Sequence, residues 1–444
     1  MTGEKNLLFL AYYFPPMGMG GVQRAAKFAR YLPEFGWTPH VVTVKPVRYY
    51  AWDESLLEEL RGVQVHRTGS LDPARLAYLF GRFLQRRSEP VLSVENADEK
   101  GHRWMRVFQL LFYPDSKRLW LPFARRKIRQ LLRTIPFDAV FSTSPPVSAH
   151  LLAAELPLPW IADFRDYWTI GDAVYAPQQW QRRLYRQIMR KIAQRAFAVT
   201  AVSEPIADSV RRFARQGKVR IGVLPNGFDP EDFRGVEPKK FQRTTLVYSG
   251  NLNPRRSPEP FFAALKKVLS RHPALGENLQ ILFVGRHFGI PAGRLQEEWR
   301  GILHFIDYLP HRESLAYLLG ADALLFFLSP DSAPGVVTGK IFEYLASGKP
   351  ILALLPKKVA AYELLKRYGR RVYFAEPDRP DEAERVLQKF LQEVEKGRPG
   401  EHSRQMAPEL QVFNRREQTR MLARLLDESV QTASAGQKRE DSAR

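Results

Sequence analysis

The stretch Ala323-Leu-Leu-Phe-Phe-Leu-Ser-Pro-Asp-Ser-Ala-Pro-Gly-Val-Val-Thr-Gly-Lys-Ile-Phe-Glu-Tyr-Leu-Ala-Ser-Gly-Lys-Pro350 holds one complete strand–loop–helix unit. Ala323 to Leu328 is a continuous apolar run without alternation, the pattern of a strand buried on both faces. Small and turn-forming residues follow from Ser329, and a helix is predicted from about Gly339 to Ala346. Gly348 stops it, with Pro350 behind. Ile351 to Leu354 then begins the next strand, so the unit is β–α–β and implies a parallel sheet covered by helices. Lys340 and Glu343 are three apart and share a face in the first helical turns. Such a carboxylate can accept two ribose hydroxyls while Lys340 and the loop amides around Gly335 and Val336 face phosphates. The plainer reading is a helix ion pair.

The same pattern extends in both directions. Thr245 to Ser249, Leu279 to Val284, Ile302 to Ile306 and Arg371 to Phe374 are further strands of this array. Pro260 to Ser270 and Arg312 to Gly320 lie between them as helices. An earlier array runs through Leu7 to Ala11, a helix over Val22 to Phe35, His40 to Val44, Ala139 to Ser142 and Trp160 to Ala162. Turn residues at Pro225-Asn-Gly227 mark the boundary. The chain therefore reads as two α/β domains, 1–225 and 226–405, with a closing helix over 406–428 and a disordered tail over 429–444.

After the first strand comes Phe14-Pro-Pro-Met-Gly-Met-Gly-Gly-Val-Gln-Arg24. A glycine-rich turn entering a helix forms an anion site, because unpaired N–H groups and the positive dipole end point outward. Gly18, Gly20 and Gly21 fit neither the GxGxxG nor the GxxxxGK[ST] pattern, so alone they read equally as a structural turn.

Composition narrows the function classes. Hydrophobic residues make up 44% and aromatic ones 12%, which describes a foldable globular chain. No apolar run is long enough to span a bilayer, and the N-terminus lacks the order of a signal peptide. A cytoplasmic protein is expected. The absence of cysteine excludes disulfides and thiolate chemistry, and the nine His residues form no HExxH cluster. The net charge of +21 calls for an anionic partner: nucleic acid, lipid headgroups or a phosphorylated substrate. Between Arg103 and Arg133 nine basic residues, Arg125, Arg126 and Lys127 among them, meet one acid and six aromatics. That mixture suits contact with an anionic membrane surface, or a solvated helix face over an ordinary core. A second basic run spans Arg182 to Arg195.

Several stretches carry a resemblance: Tyr12-Tyr-Phe-Pro-Pro16, Gly21-Val-Gln-Arg24, Phe35-Gly-Trp37, Ser142-Thr-Ser-Pro-Pro146, Asp163-Phe-Arg-Asp166, Pro225-Asn-Gly-Phe-Asp229 and Lys340-Ile-Phe-Glu-Tyr-Leu-Ala-Ser-Gly-Lys-Pro350. In these the chain resembles the retaining family 4 glycosyltransferases of GT-B architecture. The resemblance implies two Rossmann-like doubly wound domains facing a cleft, with a C-terminal helix returning to the N-domain. It implies a nucleotide-sugar held mainly by the C-terminal domain, a glycan or lipid-linked acceptor held by the N-terminal one, and no metal or other cofactor. Glu343 falls on the second Glu of the family's Glu-x(7)-Glu motif, whereas the first falls on Gly335. The family's paired phosphate-binding Arg and Lys fall on Asn251 and Arg256, so Arg256, Lys340 and Arg255 are the phosphate ligands to consider. Asp163, Arg165 and Asp166 are candidates to orient the acceptor hydroxyl, or a structural Asp–Arg pair. His150 reads as a core histidine.

The resemblance thus implies transfer of a sugar to a glycan or lipid-linked acceptor in cell-surface polysaccharide biosynthesis, by a protein peripheral at the inner membrane face. A nucleotide-sugar epimerase on the same fold is the second reading. A basic nucleic-acid-binding protein is the third, although no motif of such proteins is present.

Overall fold

The computed structural model describes residues 5–18, 20–47, 51–73, 75–76, 78–79, 113–166, 178–214, 219–396 and 407–442. The chain divides into two compact units, Met1–Asn226 with Arg415–Arg444, and Gly227–Asn414. Each is built on one parallel sheet.

In the first unit the strands are β1 Lys5–Leu10, β2 Trp37–Val44, β3 Gln64–Thr68, β4 Ala139–Ser144, β5 Trp160–Phe164, β6 Ala198–Ala201 and β7 Arg220–Val223, in the order β3-β2-β1-β4-β5-β6-β7. Helices α1 Gly20–Tyr31, α2 Leu121–Leu131, α3 Ser148–Ala153, α4 Gln179–Arg195 and α5 Glu204–Arg211 cover it. Side chains of successive strand residues alternate between the two faces, so two cores form. Leu8, Leu10, Val140 and Ala162 join Ile128 of α2, Leu152 of α3, Met189 of α4 and Ile206 of α5. Leu7, Phe9 and Phe141 join Ala25 and Phe28 of α1 on the other face.

The second unit carries β8 Thr244–Ser249, β9 Leu279–Val284, β10 Leu303–Ile306, β11 Ala323–Phe327, β12 Ile351–Leu354 and β13 Val372–Ala375, in the order β10-β9-β8-β11-β12-β13. Its helices include α6 Glu259–Arg271, α7 His311–Gly320, α8 Lys340–Ser347 and α9 Pro380–Lys396. In both sheets the order reverses beside the first strand, between β1 and β4 and between β8 and β11. Open α/β sheets bind ligands at the carboxyl ends of strands flanking such a reversal.

The last helix, α10 Arg415–Ser442, packs back on the first unit. Leu422, Ala423 and Leu426 enter the α1 core, Lys5 pairs with Asp427 at 2.5 Å, and Trp37 donates to the same carboxylate at 3.0 Å. The tail expected to be disordered from residue 429 is instead helical through Ser442. Ala, Gln, Lys and Glu are good helix formers, so α10 continues on propensity after its apolar stripe ends.

Candidate functional site

The residues picked out in the second half of the sequence converge at the β8–β11 reversal. Ser249 ends β8 and donates its N–H to Tyr344 Oη at 2.9 Å, and Tyr344 Oη donates to Leu325 O at 3.2 Å. These bonds fasten α8 beneath the tips of β8 and β11. Ser329 N donates to Arg255 O at 3.0 Å, joining the loop after β11 to the turn that carries Arg256. The loop holding Gly335 and Val336 leads into α8, whose N-cap residue Gly339 offers no side-chain cap. Ile341 and Phe342 donate their N–H groups to Thr338 O at 3.3 Å and Gly339 O at 3.2 Å, so what this helix start offers an anion is its positive dipole end.

Lys340 opens this helix in an unusual setting. Part of its stem is exposed, but Nζ is closed off from solvent and has no hydrogen-bond partner among the described residues. It lies 3.6 Å from the centre of the Tyr248 ring. On the other side is Gly250, with φ +123°, where an added Cβ would come within 2.8 Å of Nζ. Burial, with the charge of Arg256 acting in the same direction, holds the amine well below the ordinary lysine range, against the opposing pull of Glu343. Arg256 makes no ion pair among the described residues, so neither basic group has an acid paired with it there. Asn251 Oδ1 and Thr338 Oγ1 are also buried without a partner there. Orphaned buried polar atoms are rare and call for an explanation, and three around one helix start mark a place suited to a polar ligand.

Glu343, one turn into α8, accepts a hydrogen bond from His311 Nε2 at 2.8 Å, and His311 Nδ1 lies 3.8 Å from Asp232. The helix pair of Lys340 with Glu343 is therefore not formed; the carboxylate is oriented by α7 instead. His311 was not picked out in the sequence, because only the tertiary fold carries it 32 residues to Glu343. Gly250 makes the site testable. Alanine there meets both the left-handed backbone and Lys340, so Gly250→Ala should lose most nucleotide affinity and about 1–2 kcal/mol of stability. Nucleotide titration and thermal melting would read both, and unchanged affinity would separate Lys340 from ligand binding.

The candidates of the first unit have other work. Asp163 is fully buried. It takes Arg24 Nε at 3.0 Å and Nη2 at 2.7 Å, Thr143 Oγ1 at 2.8 Å and Thr200 Oγ1 at 2.7 Å. Arg165 spends its guanidinium on the backbone carbonyls of Ser144, Pro145 and Gly21. These two residues brace the ends of β4 and β5 and the start of α1, which corrects the expectation that they meet an acceptor. Asp166 alone of the three is exposed. Gly18 donates to Ala51 O at 2.9 Å, Gly20 is the first residue of α1, and Gly21 takes the Arg165 bond. His150 is a core residue whose Nδ1 sits 2.7 Å from Ser142 Oγ, and burial lowers its pKa to about 3. Of the proposed membrane contacts, Arg125 makes a bidentate pair with Glu155 at 2.7 Å and Lys127 is half-buried. Arg126 is exposed. Arg103 and Trp104 of that segment lie outside the described residues.

Residues 19–232 match the model of Glycosyltransferase Family 4. No curated protein matches the chain significantly. Among solved structures, a glycosyltransferase from Rickettsia africae ESF-5 aligns with a TM-score of 0.59 at 13% identity, covering 96% of this chain and 99% of that one. Sucrose-phosphate synthase from Thermosynechococcus elongatus gives 0.56 at 13%, covering 99% and 100%. An E. coli trehalose-6-phosphate structure bound with UDP-2-fluoro glucose gives 0.55 at 11%, covering 97% and 98%. Residues 19–232 thus match that family's model, and the two parallel-sheet units share the GT-B fold of these structures.

Proposed function

We propose that the chain transfers a sugar, with retention, from a nucleoside diphosphate-sugar to a glycan or lipid-linked acceptor in cell-surface polysaccharide biosynthesis. The carrying observation is the enclosed, unpartnered amine of Lys340 at the start of α8, which carries no side-chain cap. A diphosphate there completes Lys340 and Arg256 and meets the helix dipole, while Glu343, held by His311, receives the ribose hydroxyls. That a similar fold binds UDP-2-fluoro glucose supports a nucleotide-sugar. The acceptor would be received by the first unit.

In the reaction the bond from the sugar's anomeric carbon to the phosphate oxygen breaks, and a bond to the acceptor oxygen forms on the same face. The acceptor's proton passes to the departing phosphate. Negative charge grows on the diphosphate, and Arg256 with Lys340 stabilises it from positions fixed beforehand. No metal is part of the proposal, since these cations and the helix start supply the positive charge.

A thermal-shift screen with UDP, GDP, ADP and their 2′-deoxy forms tests the site, because a ligand of the folded state raises melting by mass action. One ribonucleotide should shift melting strongly and its deoxy form weakly. Glu343→Ala should erase that difference, at a cost of about tenfold in affinity for the ribonucleotide. A screen in which no nucleotide shifts melting would remove the donor-site reading.

A further inference from the structure

Asp163 and Arg165 brace the first unit, so the reversal between β1 and β4 is furnished by other side chains. Tyr12 and Tyr13 follow β1, and Asp72 arrives from the loop after β3. Asp115 reaches the segment after β4, taking Ser148 N at 2.9 Å and Ser148 Oγ at 2.8 Å. All of them gather on Lys117. Its N–H donates to Asp115 at 3.0 Å, and its Nζ donates to Asp72 at 3.2 Å and lies 5.3 Å from the centre of the Tyr12 ring. Lys117 belongs to the basic run of residues 103–133, yet it is turned inward, with 12% of its side chain exposed.

The acids of this cluster are engaged from several sides. Asp72 is fully buried and also takes Tyr12 Oη at 2.6 Å, Ser70 Oγ at 2.5 Å and Arg75 N at 3.2 Å. Lys117 differs. An ammonium carries three hydrogens, Asp72 takes one, and Nζ has no other partner among the described residues. Burial would lower this amine, but its interactions with Tyr13, Asp72 and Asp115 outweigh burial and hold it above the ordinary lysine value. Tyr13 is half-buried, its ring edge-on to Tyr12 at 5.0 Å. Burial raises its phenol, with Lys117 drawing it back and Asp115 and Asp72 adding to the rise, so its hydroxyl stands among the same charges. This fixed, partly open ammonium and phenol occupy the edge at which such sheets receive ligands.

We propose that Lys117 and Tyr13 receive the acceptor, and that the acceptor's reacting end is an uncharged sugar. Lys117, Asp72 and Asp115 together carry one net negative charge. A phosphate brought to Lys117 would meet both carboxylates, whereas a sugar hydroxyl can accept from Nζ and exchange a hydrogen bond with Tyr13 Oη without that repulsion. Lys117 keeps its proton throughout and acts by fixing the hydroxyl oxygen. The inference rests on the transfer reaction proposed above and chooses among its acceptors: the chain extends an existing glycan and does not begin one on a lipid phosphate.

Saturation-transfer NMR on the full chain, without nucleotide, tests it. The probes are methyl glycosides of glucose, galactose, mannose and N-acetylglucosamine, with farnesyl phosphate standing for a lipid phosphate. At least one glycoside should receive saturation, and farnesyl phosphate should not displace it. Lys117→Met should weaken that glycoside about tenfold or more, and Tyr13→Phe about three- to tenfold. Tyr13→Phe removes one hydroxyl and leaves the Lys117–Asp72 pair in place, so it decides the question should Lys117→Met fail to fold. Saturation of no glycoside, glycoside affinity unchanged in Tyr13→Phe, or displacement by farnesyl phosphate would overturn the proposal. Nucleotide melting shifts, measured on the same variants, are expected to stay at the wild-type value, since the donor groups belong to the second unit. If those shifts persist while no glycoside binds, the acceptor site alone is refuted; if the wild-type chain shows no shift, the donor reading fails separately.

Discussion

Lys340→Met should weaken nucleoside diphosphate binding by about 1.5–3 kcal/mol, about 10- to 150-fold, without lowering the melting temperature of the free protein. The two halves of this expectation have one cause. Without ligand, Nζ is enclosed between Tyr248 and Gly250 with no acceptor, so methionine exchanges an expensive amine for an apolar chain of similar length. With ligand, the same amine gains an anion and becomes the charged hydrogen-bond donor that methionine cannot replace. Arg256→Met should weaken binding as well, but it removes a cation whose charge depresses Lys340.

The pH dependence follows from the direction of the shift. Burial and Arg256 place the folded amine below its unfolded value, so the unfolded chain holds more protons between the two values and stability rises with pH across that window. Lys340→Met should lose this slope. A bound diphosphate raises the amine again, so binding takes up a proton and affinity falls as pH rises through the window. Calorimetry in buffers of different ionisation enthalpy would read the uptake. Binding with no proton uptake, or a methionine variant that binds like wild type, would show that Lys340 does not meet the phosphate.

That site was legible because its strand–loop–helix unit is written in consecutive residues. Leu324 to Phe327 are wholly apolar, Gly348 ends the helix in the left-handed region, and Lys340 and Glu343 are near neighbours. The missed strands lack such signals. β3, Gln-Val-His-Arg-Thr, is an edge strand with polar residues open to solvent, and β6 is four small or β-branched residues. His311 and the partner of Asp163 were invisible for another reason. Each contact closes a long sequence separation, and neither residue type alone announces the bond.

Arg24→Met should cost about 3–5 kcal/mol, the largest stability loss expected of a single substitution here, because it leaves the Asp163 carboxylate buried with its charge unopposed. Arg24 also donates to the carbonyls of Leu224 and Pro225 at 2.9 Å and 2.7 Å, so the start of α1, the end of β5 and the segment just after β7 share one guanidinium. Burial alone would raise the Asp163 pKa. The charge of Arg24 and the bonds from Arg24, Thr200 and Thr143 outweigh it and hold the carboxyl below the usual range. Its stabilising contribution is therefore present above the unfolded aspartate value of about 3.9 and is lost as pH falls through the lower folded value. In Arg24→Met the balance reverses: burial dominates, the folded carboxyl titrates above the unfolded one, and protonation relieves the variant as pH drops. The stability gap between wild type and variant should then narrow steadily on acidification, as followed by urea unfolding. Adding Asp163→Asn to Arg24→Met should recover much of the loss, since the neutral amide can accept from one threonine hydroxyl and donate to the other without a stranded charge. A gap constant with pH, or no recovery in the double variant, would mean that Arg24 acts through packing on Phe28, which its guanidinium overlies at 4.8 Å, and not through the buried ion pair.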